Sequence, residues 1–235
     1  MGAIVAQSPL RFYLLQSTPP PISPNFDAGW EQTGQAIRGS LVLKSQLSAR
    51  ETLADTTAIT VPITTTQEIL AAQFIGPPMR ACRLDTSVLV QVINRCAESA
   101  AQANVNYARV LRALSQDGGT ILATLFTNIT GTGAEFSTTS NSRHSGAPSA
   151  VTAATLVEGW RIVDEIGAHA AAPTQAQSYT MRFGNSASSD FNSASDGQTG
   201  DLNPWLEFSA GIFQVMPDNY QSVRSSGLSV SERIR

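Results

Sequence analysis

Charged side chains are scarce in this chain, 14% of its 235 residues, against about 25% in an average soluble domain. Ser, Thr, Ala, Gln and Asn take their place. A near-neutral surface of small polar groups suits burial against neighbouring protein, and it provides no large charge cluster to steer a small ionic substrate. The formal net charge is -3. The Arg residues are scattered singly, with weak grouping only at Arg80 and Arg83 and near the C-terminus, so no basic stripe exists for a nucleic acid. Cysteine and histidine are equally sparse, two of each. Cys82 and Cys96 form no C-x-x-C pair, and His144 and His169 complete no zinc-type ligand set. Both cysteines lie in or beside apolar strand-like runs and read as buried thiols; a disulfide closing the segment between them is the alternative. No apolar run approaches the roughly 18 residues that span a bilayer. Residues 1–7 lack the basic and apolar regions of a secretory signal. The expectation is a soluble protein made in the cytoplasm, with neither a membrane nor a nucleic acid as partner.

The length fits one large all-β domain, or a sandwich with extended arms, and buries a core without staples. Residues 10–15 (LRFYLL) read as a first strand. Residues 18–24 (TPPPISP) then break regular structure, because each proline fixes φ and removes a donor; an extended, polyproline-type arm is expected. Phe26 and Trp30 anchor a polar stretch over residues 26–38. Residues 41–43 and 58–63 are short strands, the second pushed toward a sheet edge by Pro62. Residues 64–73 (TTTQEILAAQ) offer the one helical turn. Residues 87–96 (SVLVQVINRC) are rich in Val and Ile. Residues 105–114 (VNYARVLRAL) are ambiguous alone. The Gln116-Asp117-Gly118-Gly119 turn and the β-rich 120–129 that follow favour a hairpin. A short strand is expected at 135–139 and a loop at 140–148. Residues 152–157 lead into a strand over 159–167, another follows at 178–183, and a last short one at 205–208. Residues 185–203, made of Ser, Asn, Asp, Gly and Ala, read as a long loop. The tail from Pro217 is polar and without hydrophobic period. Nine or ten short strands at spacings near ten residues predict an all-β, antiparallel sandwich of jelly-roll type.

Chemistry is poorly provided for. Nucleophile-elbow, HExxH and P-loop motifs are absent, and both histidines read as surface residues. Asp164 and Glu165 are adjacent in a strand and must point to opposite faces, so they cannot flank one glycosidic bond. Asp164 shares a face with Trp160, Ile162 and Ile166. It reads as a charge near a sheet edge, partly wet or paired with Arg161 or Arg182; a polar contact in a groove or subunit interface is the alternative. Asp190, Asp196, Gly197, Gly200 and Asp201 form an oxygen-rich loop, but their spacing does not match the twelve-residue calcium loop, and a plain loop is preferred. Trp30, Trp160 and Trp205 could stack on sugars, but in small sandwiches such residues serve more often as core or interface anchors. No catalytic residue, cofactor or metal ligand is assigned.

Several stretches carry a resemblance. They are Phe12 to Gln16 with the following prolines, residues 26–31 (FDAGWE), 61–67 (VPITTTQ), 115–120 (SQDGGT), 159–167 (GWRIVDEIG), 179–184 (YTMRFG) and 201–209 (DLNPWLEFS). Together they make the chain resemble a group of tailed-phage virion proteins, over most of its length from Phe12 to Phe208. The resemblance implies a jelly-roll or lectin-like sandwich and a place on the particle, and it implies no catalytic residue. The family tends to carry an apolar residue where Asp164 stands, which implies a strand face that is not wholly core here.

The expectation is therefore a non-enzymatic structural or accessory protein of a tailed bacteriophage particle, such as a capsid decoration or a collar or tail accessory. It would be a homo-oligomer or bind other virion proteins, and its location would be the virion. The alternative is a carbohydrate-binding recognition module carried on the virion, with host glycans as partner; a cell-wall or polysaccharide hydrolase stands third. By segment, residues 1–38 are read as a strand plus Pro-rich arm, 39–216 as the sandwich, which the 10–15 strand joins, and 217–235 as a polar tail. Residues 18–24 and 217–235 are expected to lie on a neighbouring chain.

Overall fold

The computed structural model describes residues 9–16, 18–44, 58–61, 66–131, 133, 135–139, 141–144, 147–171, 177–183, 189–193 and 202–209. The expected tail, Pro62 and most of the 185–203 loop lie outside these residues. Among those described there is no α-helix; a 3-10 turn, Ala101–Ala103, joins two strands. The fold is all-β, an antiparallel sandwich of jelly-roll type.

In chain order the strands are β1 (Leu10–Leu15), β2 (Ile37–Leu43), β3 (Ala58–Val61), β4 (Gln67–Pro78), β5 (Cys82–Leu84), β6 (Leu89–Glu98) and β7 (Val105–Leu114). They continue with β8 (Ile121–Asn128), β9 (Asn141–His144), β10 (Ser149–Ala150), β11 (Ala154–Leu156), β12 (Arg161–Ala170), β13 (Gln177–Arg182) and β14 (Trp205–Phe208). Twelve of them join one sheet in the order β3-β13-β6-β14-β1-β2-β4-β12-β7-β8, with β9 and β10 also on β6; β5 and β11 form a separate pair. Every pairing is antiparallel except β2 with β4. Ile93 faces both Trp205 of β14 and His144 of β9, and Cys96 faces both Met181 of β13 and Asn141 of β9. A strand residue has one neighbour per edge, so β13 and β14 lie end to end along one edge of β6, and β9 lies along the other.

The long sheet folds over so that its two halves share one core. Phe74, Leu111 and Ile166 of β4, β7 and β12 are buried in the same cluster as Val90, Cys96, Met181 and Leu206 of β6, β13 and β14. Phe74 meets Phe183 edge-on at 4.9 Å, and the Tyr107 hydroxyl of β7 bonds Asn94 of β6 across the core. The 105–114 run becomes strand because β12 pairs with it from Val105 to Leu114 while β8 takes its other edge. The hairpin turn uses Gly118 at φ +78°, a value that side chains disfavour.

Three local expectations are corrected. The helical turn over 64–73 is instead the start of β4, a twelve-residue strand buried continuously from Ile69 to Gly76. Partners on both edges and both faces override a marginal helical pattern. Residues 135–139 contribute only an isolated bridge, Asn106 to Glu135. Part of the 140–148 loop is the strand β9, paired with β6.

The Pro-rich segment is also corrected. It runs as a strap over the outer face of the chain's own β2-β4-β12-β7 sheet. Ile22 packs against Ile75, Leu114 and Val163; Ser40 donates to the Pro19 carbonyl at 3.0 Å and Arg38 to the Pro24 carbonyl at 3.1 Å. Isolated apolar anchors suffice because extended, pre-stiffened chain loses little entropy on docking.

Candidate functional site

Although charges are scarce, several lie in the interior, among them Arg109, Arg112, Asp164 and Glu165. In β12, Asp164 and Glu165 point to opposite faces, as strand alternation demands, and both are completely buried.

Asp164 faces the main core. β12 lies between β4 and β7, so Asp164 is at no edge and is not wet. Its partner is neither Arg161 nor Arg182 but Arg109 of β7, whose Nε and Nη2 donate to the two carboxylate oxygens at 2.6 and 3.1 Å. Asp164 registers with Leu111 and Ile166 with Arg109, which sets the two charges one step apart on one face. The guanidinium carbon stands 5.7 Å from the Phe126 ring centre. Burial pushes the Asp164 carboxyl above its ordinary range, and the Arg109 charge and hydrogen bonds offset part of that rise. Arg161 instead holds backbone, donating to the carbonyls of Gln116 at 2.8 Å and Gly76 at 3.0 Å. The face that carries Asp164 is core, so the departure at this position is met by a second buried charge.

Glu165 faces outward, under the strap. It accepts from Trp30 Nε1 at 2.8 Å, Gln73 Nε2 at 2.9 Å and the Asp27 N–H at 3.1 Å, and it pairs with Arg112. Arg112 also donates to the Asn25 carbonyl at 2.9 Å. One buried carboxylate thus ties β4, β7 and β12 to the 25–30 segment. Gly167 makes room for it: a Cβ there would stand 2.1 Å from the Ile69 carbonyl oxygen and 2.7 Å from the Trp30 ring.

A third charged group fastens the other layer. Asp190 accepts from Arg11 at 2.8 Å, Tyr13 at 2.8 Å, Lys44 at 2.6 Å and Asn203 at 3.2 Å. Arg11 also holds Glu207 at 2.7 Å and lies 4.1 Å over the Trp205 ring. Burial alone would raise the Asp190 carboxyl, but hydrogen bonds from Lys44, Asn203, Tyr13 and Arg11 outweigh it and bring it down to about 2. A carboxylate committed to two cations is a clamp rather than a calcium ligand; the other residues of that candidate loop lie outside the described residues. No group of metal-binding side chains occurs among the described residues.

The three tryptophans are buried, at 6% (Trp30), 0% (Trp160) and 0% (Trp205) exposure. Each indole N–H is bonded inside the molecule: Trp30 to Glu165, Trp160 to the Arg80 carbonyl and Trp205 to the Phe191 carbonyl. They are anchors, and none offers a face for a sugar. His169 is no surface residue either. Its side chain is 14% exposed and bonds Glu68 at 2.8 Å, in a place where a Cβ on Gly131 would collide with the ring. Burial is the main reason the Glu68 carboxyl is raised, with the His169 bond opposing it. His144 lies in β9. Cys82 and Cys96 form no disulfide; Cys96 is buried, and burial pushes the Cys82 thiol up to about 11.

Sequence reasoning found Asp164 and Glu165 as unusual residues but missed Arg109, Arg112 and Arg11 as their counterparts and as clamps. The available signal was a charged residue at an inward position of an apolar strand, as in VNYARVLRAL. No protein-family model matches the chain, and no curated protein shows significant similarity to it.

Proposed function

We propose that this chain is a non-enzymatic structural or accessory protein of a tailed bacteriophage particle, acting by assembly with other protein chains. The observation that carries the reading is the use made of charge. Arg109–Asp164, Arg112–Glu165 and Arg11–Asp190 all join one part of the sandwich to another. Carboxylates so enclosed, with their oxygens committed to donors, hold shape rather than move protons for a substrate. A near-neutral chain with a braced sandwich suits a repeated building unit, and the stretches that resemble tailed-phage virion proteins take in β14 and most of β1, β12 and β13. The tryptophan arrangement favours this reading over a glycan-binding module that depends on exposed indoles.

The test is to purify particles from a producing bacterial culture on a density gradient and to probe the fractions with an antibody against the chain. Co-migration with particles, surviving high salt, is expected. Recovery of the chain only in the soluble fractions would sink the proposal. Release of soluble fragments from peptidoglycan or capsular polysaccharide by the purified chain would favour the hydrolase instead.

A further inference from the structure

The turn that joins β7 to β8 carries a chemically fragile pair, Asp117-Gly118; the chain's other Asp-Gly pair is Asp196-Gly197. In such a pair the glycine amide nitrogen, unhindered by a side chain, can attack the aspartate Cγ. The N–Cγ bond forms, the Cγ–OH bond of the neutral carboxylic acid breaks, and the hydroxyl leaves with the amide proton as water. Water then opens the cyclic imide at either carbonyl and returns aspartate or isoaspartate, so the net change is an isomerisation without oxidant or reductant. The isoaspartyl product carries one extra carbon in its backbone, and here that carbon would enter a crowded place. A Cβ on Gly118 would stand 2.8 Å from Ile22 Cδ1 and 3.3 Å from Pro24 Cβ, so the strap sits on the turn. Arg161 holds the Gln116 carbonyl at 2.8 Å, and the Ser115 N–H closes the hairpin on the Thr120 carbonyl at 2.8 Å.

We infer that Asp117-Gly118 is a latent isoaspartate site, kept unreactive in the folded chain by Ser115. The geometry opposes ring closure at both reacting groups. Asp117 Oδ1 accepts from Ser115 Oγ at 2.6 Å and from the Gly119 N–H at 3.0 Å, an aspartate turn closed on its own backbone. Hydrogen bonds to a carboxylate favour its ionised form, and those from Ser115 and Gly119 hold the Asp117 carboxyl below its ordinary range. The ionised group has no hydroxyl to expel. The attacking atom is occupied as well, because the Gly118 N–H donates to the Ser115 carbonyl at 2.9 Å. Ser115 Oγ itself accepts from the Thr120 N–H at 2.9 Å, which fixes the hydroxyl from the β8 side while its hydrogen is given to Asp117. One residue thus restrains the nucleophile through its carbonyl and the electrophile through its hydroxyl. A chain that persists in a particle without replacement has use for such a guard, but the site is independent of that role.

The experiment incubates the full chain at neutral pH and body temperature for several weeks and locates isoaspartate by enzymatic methyl labelling and peptide mapping. Its arms are the folded parent, the parent in guanidinium chloride, and folded Ser115→Ala and Ser115→Thr, each checked by a thermal melt. In guanidinium, Asp117 and Asp196 should both accumulate isoaspartate at similar rates. In the folded parent, Asp117 should react severalfold more slowly than in guanidinium. Ser115→Ala should raise the folded rate at Asp117 severalfold, and Ser115→Thr, which keeps the hydroxyl, should stay near the parent. Should Ser115→Ala not fold, Ser115→Cys, a weaker donor, takes its place. Equal rates at Asp117 in the folded and denatured parent would overturn the inference. So would a Ser115→Ala or Ser115→Cys rate no higher than the parent's, or a Ser115→Thr rate as high as theirs.

Discussion

Arg109 and Asp164 form a two-pronged ion pair with both side chains at 0% exposure, inside the common core of two β-layers. Enclosing two charges is costly, and their attraction returns that cost only when the geometry is good. The expected signature is strong asymmetry. Arg109→Met or Asp164→Leu alone strands the other partner or leaves it without its bonds and should lower stability by about 3–5 kcal/mol, whereas Arg109→Met with Asp164→Leu should be near neutral or stabilising. Guanidinium denaturation of the four proteins of the double-mutant cycle measures this. Additive losses would show that the pair does not act as a unit.

Gly167→Ala tests the strap. The added methyl would be driven into the Ile69 carbonyl and the Trp30 indole, so Trp30 must move and release Glu165. A loss of about 1–3 kcal/mol is expected, with a red shift in tryptophan emission as the indole reaches water. Unchanged emission and stability would mean that the strap is not pinned there.

Much of the fold was legible because β-strands write their pattern locally. Tyr179, Met181 and Phe183 alternate as expected, and Asp117-Gly118-Gly119 marks the hairpin that joins β7 and β8. The charge pairs were not legible in the same way. Which Arg meets Asp164 depends on the register between β7 and β12, strands separated by the whole of β8 to β11. The local pattern therefore offered Arg161, a sequence neighbour, in place of Arg109. The strap was misassigned for a related reason: Ile22 among prolines looks like the anchor of an arm until the sheet beneath supplies the place where it fits, whereas Phe26 and Trp30 already read as buried anchors.

Asp190 predicts an acid-sensitive clamp. Its carboxyl lies at about 2 in the folded chain, against 3.8 without its partners. The contribution is full above the higher value, where both states are ionised, and is lost as pH falls through the folded one. Its size is on the order of 2 kcal/mol at most, less what solvent screening removes at the half-exposed Lys44. Asp190→Asn should flatten the stability profile of the chain between these values. An unchanged slope would rule the clamp out.

The thiols should be slow. With Cys82 pushed up to about 11 and Cys96 enclosed, little thiolate is present near neutral pH. Ellman's reagent should leave both largely unmodified in the native protein and titrate both in denaturant. Rapid native reaction at Cys82 would contradict the burial described here.

The central claim is that the chain acts as a building unit of a particle, and imaging tests it most directly. Particles produced with and without the chain, averaged to low resolution and subtracted, should differ by discrete density of sandwich size at symmetry-related positions. Identical maps, or a difference confined to a single irregular site, would contradict the account.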